Sequence, residues 1–381
     1  MRRIIVFFAA ILLFLHFSSS QVCAQGFDVS ISAASAVLIE AQTGKILYAK
    51  NENEKRPMAS TTKIMTALIC LESGNLDEQF VVDSSAIKVG GSSMGLVEGD
   101  IVTKRSLCIG MLLPSGNDAA NAAAIKIAGS FEKFAEMMNE RAAKIGMLNT
   151  HFITPSGLDA EGHYSTAYDM ALLAREALKN PDFKAICSQK NIKLSYGNPP
   201  YDRWLKNTNK LLTYYNGCIG VKTGFTDAAG RCLVSATERN GVCLICVTLK
   251  APDDWADHQK MLNYGFSIVK NYDLPVPAIS QIGLVGGFKD NVGVSLASIP
   301  KASLTEEDFS KVQSAVFMDK FVYAPVKSGK VVGRVKYSID GKEILSVPVI
   351  VSENADAEVT QKEKSFWDNL FERFNIFKNE K

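Results

Sequence analysis

The stretch MASTTKIMTALICLESG, residues 58–74, places Ser60 and Lys63 three positions apart at the head of an almost wholly apolar run. Ile64, Met65, Ala67, Leu68, Ile69 and Cys70 leave little polar face, and a helix that is apolar on most sides is a buried one. Gly74 suits the left-handed residue that ends such a helix. Ser60 then stands at the helix N-terminus, near unpaired backbone N–H groups and the positive end of the dipole, with Lys63 on the same face. A charged lysine entering a core is costly, and burial beside another cation lowers a lysine pKa, by up to about 3 to 5 units when the group is fully buried. A neutral amine next to a hydroxyl is a base next to a weak nucleophile, the pairing that nucleophilic catalysis requires.

The same S-x-x-K spacing occurs at Ser85/Lys88, Ser130/Lys133, Ser267/Lys270 and Ser298/Lys301. A capping serine and a solvated lysine account for those copies, because only Ser60 opens a helix of this apolar character.

Working outward, SAVLIEAQTGKILYAKN is broken at Gln42-Thr43-Gly44 and predicts an opening β-hairpin. Apolar periodicity predicts helices over 60–73, near 105–113, and over 117–128, 131–145 and 166–178. GCIGVKTGFTDAAGRCLVSATERNGVCLICVTL then predicts a run of strands with Gly and Asp turns. Strands at both ends with helices between imply one α/β domain, over 27–272, whose sheet joins distant parts of the chain. Short strands alone follow, with Asp340-Gly341 as a tight hairpin turn, and predict a small all-β domain over 275–355.

Two further elements can complete a site around Ser60. Ser115-Gly116-Asn117 falls in a break between helices after Pro114 and brings a second hydroxyl and a carboxamide; capping of the following helix is the simpler use of Ser115. A second S-G-N, Ser73-Gly74-Asn75, ends the first helix. Lys222-Thr223-Gly224 lies in a strand that stops at the Thr226-Asp227 turn, where a cation and a hydroxyl meet a substrate carboxylate and the glycine keeps the wall clear. Lys327-Ser328-Gly329 repeats that triplet in a turn of the β domain and reads as structural.

The order Ser60-x-x-Lys63, Ser115-x-Asn117, Lys222-Thr223-Gly224 resembles that of the penicillin-binding proteins and serine β-lactamases. RPMASTTKIMTAL, LLPSGNDAANAAA, HFITPSGLDAEGHYSTAYDMALLAREAL and GVKTGFTDAAGRCLVSATE narrow the resemblance to the D-alanyl-D-alanine carboxypeptidases of low molecular mass, over roughly residues 30 to 380. It implies a β-lactamase/DD-peptidase-like α/β domain, an antiparallel sheet flanked by helices with a helical subdomain, then a small all-β domain and a C-terminal amphipathic helix. It further implies that Ser60 attacks the bond between the two terminal D-alanines of a peptidoglycan stem peptide, with Lys63 as its base. Ser115 and Asn117 would relay protons and hold the substrate amide. Lys222 and Thr223 would bind the terminal carboxylate, and the backbone N–H groups of Ser60 and Phe225 would form the oxyanion hole. β-Lactams are implied as inhibitors. Some relatives carry a histidine where this chain has Pro155-Ser156, and some supply an arginine after the strand that follows the Lys-Thr-Gly strand, where this chain offers Lys250.

Glu176-Ala-Leu-Lys-Asn180 does not match the Glu-x-x-Leu-Asn loop of class A β-lactamases, and Tyr196-Gly197-Asn198 reads as a loop rather than the Tyr-x-Asn of class C, so a β-lactamase ranks below the carboxypeptidase. A wall sensor of the same fold that is acylated without turnover is the other alternative.

The rest of the sequence bounds the setting. Forty-two basic and forty acidic residues leave a formal charge of +2, too little field to hold a polyanion, so nucleic acid is not an expected partner. MRRIIVFFAAILLFLHFSSSQVCAQ has the basic start, apolar stretch and small residues of a secretory signal, over 1–24. At the other end Phe366, Trp367, Leu370, Phe371, Phe374 and Phe377 recur at helical spacing, which predicts an amphipathic anchor over 361–381 lying in a membrane interface. The expected location is the outer face of the cytoplasmic membrane. Seven cysteines remain after signal removal, and Cys243 and Cys246 fall on opposite faces of a buried strand, so they read as core residues. The histidines lack ligand spacing and no Gly-rich nucleotide loop is present, so neither metal nor cofactor is expected.

Overall fold

The computed structural model describes residues 30–358. The expected signal and the expected terminal amphipathic helix lie outside the described residues. β1 (Ser35–Glu40) and β2 (Ile46–Lys50) form the expected hairpin. Glu40 closes its turn by accepting from Gln42 N, Thr43 N and Thr43 Oγ1 at 2.9, 2.7 and 2.7 Å. Every residue of β1 is buried. Val37 and Ile39 face one core while Ala36 and Leu38 face another, and a strand covered on both sides needs apolar residues throughout.

A 3₁₀ turn, Ala59–Thr62, leads into α1 (Lys63–Glu72), where Lys63 through Leu71 are all buried. The predicted helix therefore starts three residues later than expected, and Ser60 sits on the tighter turn before it. Gly74, at φ +69°, follows its C-terminus as the motif predicts. β3 (Gln79–Val81) and β4 (Ile101–Thr103) make a short ribbon. α2 (Lys104–Leu112), α3 (Asn117–Ala128), α4 (Phe131–Ile145), α5 (Ala167–Ala177) and α6 (Pro181–Cys187) complete the helical part. The side chains of Thr103, Ser130, Thr166 and Asn180 cap α2, α4, α5 and α6. Ser130 accepts from Lys133 N, so that S-x-x-K copy is a helix cap.

β5 (Asn191–Gly197) and β6 (Pro200–Lys206) form a hairpin. Tyr196 and Gly197, expected in a loop, instead end β5, and Tyr196 Oη donates to Met94 O. After the short α7 (Leu211–Tyr214) come β7 (Cys218–Thr226), β8 (Gly230–Arg239) and β9 (Val242–Leu249). The sheet is antiparallel in the order β2-β1-β9-β8-β7, so N-terminal strands pair with strands some 200 positions later. α8 (Asp254–Ile268), which the periodicity did not reveal, covers one face with Met261 and Leu262. Its pattern is interrupted by buried polar residues with structural duties, Asp257 and His258 among them. Asp257 accepts from Ser32 N, Ser32 Oγ and Ala33 N, and His258 lies 2.7 Å from Ser235 Oγ and 3.0 Å from Thr248 Oγ1. The helical part covers the other face through the larger core.

The second unit consists of β10 (Val269–Asp273), β11 (Gln281–Val285), β12 (Asn291–Leu296), β13 (Lys301–Thr305), a turn of helix α9 (Glu306–Ser310), β14 (Gln313–Met318), β15 (Phe321–Tyr323), β16 (Val331–Ile339) and β17 (Lys342–Val351). Its main sheet runs β14-β16-β17-β12-β11-β15, while β10 pairs with β13. Asp340 and Gly341, both at positive φ, make the two-residue turn between β16 and β17. Gln42 donates to Lys301 O and accepts from Ser303 N, which fastens this unit to the first. The seven cysteines of the described residues are free thiols, and Cys246 packs in the core beneath α8.

Candidate active site

Ser60 is carried on the 3₁₀ turn, and Ala59 before it adopts φ +48°, a conformation that non-glycine residues hold only where the surroundings enforce it. Two glycines supply that enforcement. A Cβ on Gly157, which sits at φ +81°, would come within 2.0 Å of Ala59 O, and one on Gly224 would lie 3.0 Å from both Met58 O and Ser60 N. The space that Gly224 leaves open is therefore occupied by the serine turn, not by ligand as the sequence suggested. Strand β7 and the 153–157 loop clasp the turn from two sides. Ser60 does not act as the N-cap of α1: that position belongs to Thr62, which makes no side-chain capping bond.

Lys63 is wholly buried on the first turn of α1. Its Nζ lies 2.7 Å from Ser60 Oγ, 2.6 Å from Asn117 Oδ1 and 2.6 Å from Ser156 O. The last two are oxygens that can only accept, so they take two N–H bonds. In a neutral amine the lone pair is then the group left to face Ser60 Oγ. Burial lowers the Lys63 pKa well below the ordinary lysine value, and the Lys222 charge pushes it the same way while Asp118 opposes. Burial alone brings Lys222, 1% exposed, down to about 7. Both amines are desolvated, and Lys63 carries the additional push of the Lys222 charge toward its neutral form.

Asn117 opens α3. Its Nδ2 donates to Gly90 O at 2.7 Å, which fixes the amide so that Oδ1 faces Lys63. Ser115, buried and at φ +70°, does not cap α3, whose N-cap is Gly116. It lines a cleft of about 330 Å³ together with Ser60, Thr223, Gly224 and Phe225. Lys222 Nζ donates to Thr223 O at 2.8 Å, and Thr223 Oγ1 lies 2.7 Å from Thr208 Oγ1. Phe225 stands exposed at the cleft mouth. All eight residues singled out from the sequence thus gather about one cleft or directly behind it.

Several contributors escaped the sequence reading. Ser156 acts through its carbonyl, which no side-chain pattern announces. His163 Nδ1 accepts from Ile153 N at 2.9 Å, so Nε2 carries the proton and donates to Thr62 Oγ1 at 2.9 Å; burial lowers this imidazole to about 4. It ties the 153–157 loop to the serine turn. Asp118 accepts from Met94 N, Gly95 N and Leu96 N, which fixes the loop that follows cleft-lining Ser92; its place next to Asn117 was a usable signal. Arg231, Asp254 and Trp255 also line the cleft, whereas Lys250 does not.

Residues 20–253 match the D-alanyl-D-alanine carboxypeptidase family, peptidase S11, and residues 278–357 match the C-terminal domain of penicillin-binding protein 5. The D-alanyl-D-alanine carboxypeptidase DacF of Bacillus subtilis is 34% identical over 341 residues, covering 86% of this chain and 87% of that one. DacC of Escherichia coli is 32% identical, covering 86% and 85%. Among solved structures, penicillin-binding protein 5 from Haemophilus influenzae superimposes with a TM-score of 0.63 at 29% identity, covering 86% of this chain and 98% of that one.

Proposed function

The chain belongs to the D-alanyl-D-alanine carboxypeptidase family, peptidase S11, and from that premise we propose how this serine-type D-Ala-D-Ala carboxypeptidase removes the last D-alanine of a peptidoglycan stem pentapeptide. Neutral Lys63 takes the Ser60 proton as Oγ attacks the carbonyl between the two D-alanines. The tetrahedral oxyanion forms between the backbone N–H groups of Ser60 and Phe225, each donor contributing about 3 kcal/mol to transition-state stabilisation. Lys63 and Ser115 pass the proton to the departing amine, D-alanine leaves, and water hydrolyses the ester on Ser60 to release the shortened peptide. Asn117 holds both the Lys63 amine and the substrate amide. Lys222 and Thr223 attract the carboxylate end.

The observation that carries this reading is the 2.7 Å contact between Lys63 Nζ and Ser60 Oγ, with two carbonyl-type oxygens occupying the other Nζ contacts. β-Lactams, which present a reactive amide beside a carboxylate, acylate the same serine. Glu176 is ion-paired with Arg141 and Lys179 and does not line the cleft, which favours a carboxypeptidase over a class A β-lactamase. The proposed setting is the outer face of the cytoplasmic membrane, reached after loss of residues 1–24 and kept by the aromatic stripe of residues 361–381. A labelled penicillin should modify Ser60, and pentapeptide should release D-alanine. Label elsewhere, or none, overturns the assignment of Ser60; label without D-alanine release leaves the sensor reading in place of hydrolysis. Deleting 361–381 should shift the protein out of the membrane fraction.

A further inference from the structure

The second unit lets go of the chain at one end: the N–H of Glu358, the last described residue, donates to Gly286 O at 2.8 Å, and Ala357 pairs with Gly287. That end is rimmed with exposed aromatic side chains. Val285 closes β11 beside the exit and is paired with Tyr323 of β15, the strand at that edge of the sheet. Val322 is buried, so Phe321 and Tyr323 turn outward on the same face as Val285. Their rings meet edge to face with centroids 5.4 Å apart, and Gly283, opposite Phe321, puts no side chain over them. Phe288 follows in the β11–β12 loop and is 72% exposed, against 65% for Tyr323. A Cβ on Gly287 would lie 3.3 Å from Ala324 Cβ, so this loop rests against the end of β15. Exposed apolar side chains gathered on a folded unit mark a contact surface.

The reach of the chain decides what that surface meets. The proposed anchor begins at residue 361, three positions beyond Glu358, and an extended chain spans at most about 3.6 Å per residue, so the exit lies within about 11 Å of the anchor's first residue and within about 29 Å of Phe366, where its aromatic stripe begins. An anchor in the membrane interface therefore brings this end of the unit to the lipid surface. Resting on the membrane setting proposed above, we propose that Phe288, Phe321 and Tyr323 form a second membrane contact, their rings seated among the lipid headgroups beside the anchor. Aromatic rings favour that depth, and a tyrosine keeps its hydroxyl wet there. Lys289 and Lys320 share the rim but are offset by Asp290 and Asp319, so the contact needs no anionic lipid. Two points of contact orient the unit on the membrane.

The test uses the chain with its anchor, residues 25–381, and vesicles of phosphatidylcholine alone or with phosphatidylglycerol added. Combining Phe288→Ser, Phe321→Ser and Tyr323→Ser should lower the partition coefficient by about 10- to 100-fold, as expected for three partly buried rings, and by the same factor on both vesicles. The variant should still take a penicillin label on Ser60 at the wild-type rate, which shows that it is folded. On phosphatidylcholine vesicles, amide hydrogen exchange of wild type should slow over 284–289 and 320–324; should the variant misfold, this measurement decides alone. Equal partitioning of variant and wild type, with no protection of those segments, would overturn the contact and leave the anchor standing. A loss confined to anionic vesicles would overturn it in favour of charge attraction, and a lipid-free wild-type dimer that the triple substitution breaks would assign the surface to a second copy of the chain. Wild type that binds neither vesicle would remove the anchor reading and this contact with it.

Discussion

Lys63 Nζ and Asn117 Oδ1 lie 2.6 Å apart across 54 positions of sequence, joining the first turn of α1 to the first residue of α3. Because Asn117 Nδ2 is committed to Gly90 O, the amide cannot turn over, and its oxygen claims one N–H of the lysine. Ser156 O claims another. The amine is thereby aimed as well as desolvated: whichever proton it loses, the free electron pair faces the serine.

Replacing Lys63 tests the base. Lys63→Ala should slow Ser60 acylation by a penicillin by about 10²- to 10⁴-fold, the usual range for a general base, in a stopped-flow measurement of the acylation step. Lys63→Arg should not rescue, because a guanidinium keeps its proton and offers no lone pair. Recovery of acylation by the arginine variant would show that Lys63 serves as a charge rather than as a base.

The pH profile follows from the two amines. Acylation needs Lys63 neutral, which burial and the Lys222 charge allow at a pH well below the ordinary lysine range. It also needs Lys222 charged, and burial sets its own proton loss at about pH 7 in the free protein. kcat/KM should therefore rise on an acid limb and fall on an alkaline limb near neutrality. Lys222→Arg, with a permanent cation, should move the alkaline limb upward. An unchanged limb in that variant would mean that another group titrates there.

The fold was legible wherever burial and local pattern agree. Helix α1 is apolar on most sides and is buried from Lys63 to Leu71, and Asp340-Gly341 is the turn its residues prefer. The three motifs were legible because each groups chemically distinctive side chains, two of them at a break before a helix and the third within β7. What stayed hidden acts through the backbone or through tertiary contact. Ser156 contributes a carbonyl, Gly157 contributes the absence of a side chain, and Arg231 becomes part of the cleft only when β8 pairs with β7. α8 was obscured by Asp257 and His258, polar residues placed where periodicity expects apolar ones.

Acid stability should depend on the buried imidazoles. His258 is fully buried with its pKa lowered to about 3, and His163 is nearly so at about 4, both chiefly by desolvation. Unfolded histidines titrate near 6.5, so between that value and the folded pKa the unfolded chain binds more protons. Stability should be unaffected by these groups above about pH 6.5 and decline as pH falls toward 4 and then 3, each unit costing about 1.4 kcal/mol per group. Urea titrations from pH 7 to pH 4 should show this, and His258→Gln should flatten part of the slope. A wild-type unfolding free energy that stays constant over that range would contradict neutral burial.

Gly157 offers the sharpest test of the clasp on the serine turn. Alanine there would be strained at φ +81°, and its Cβ would fall 2.0 Å from Ala59 O and 2.8 Å from Thr62 Oγ1. The first neighbour is backbone, so relief requires moving either the 153–157 loop or the turn itself. Left-handed strain of roughly 1 to 3 kcal/mol adds to the clash, and Gly157→Ala should destabilise the protein by about 3 kcal/mol or more in urea. Its surviving folded fraction should acylate at least about 100-fold more slowly, since a displacement of about 1 Å at a nucleophile costs that much. Gly74→Ala is the control: it shares a positive φ but has nothing within 4 Å of the added Cβ, so it should lose stability modestly and keep its acylation rate. If both variants acylate like wild type, the turn is not held by the contact between Gly157 and Ala59.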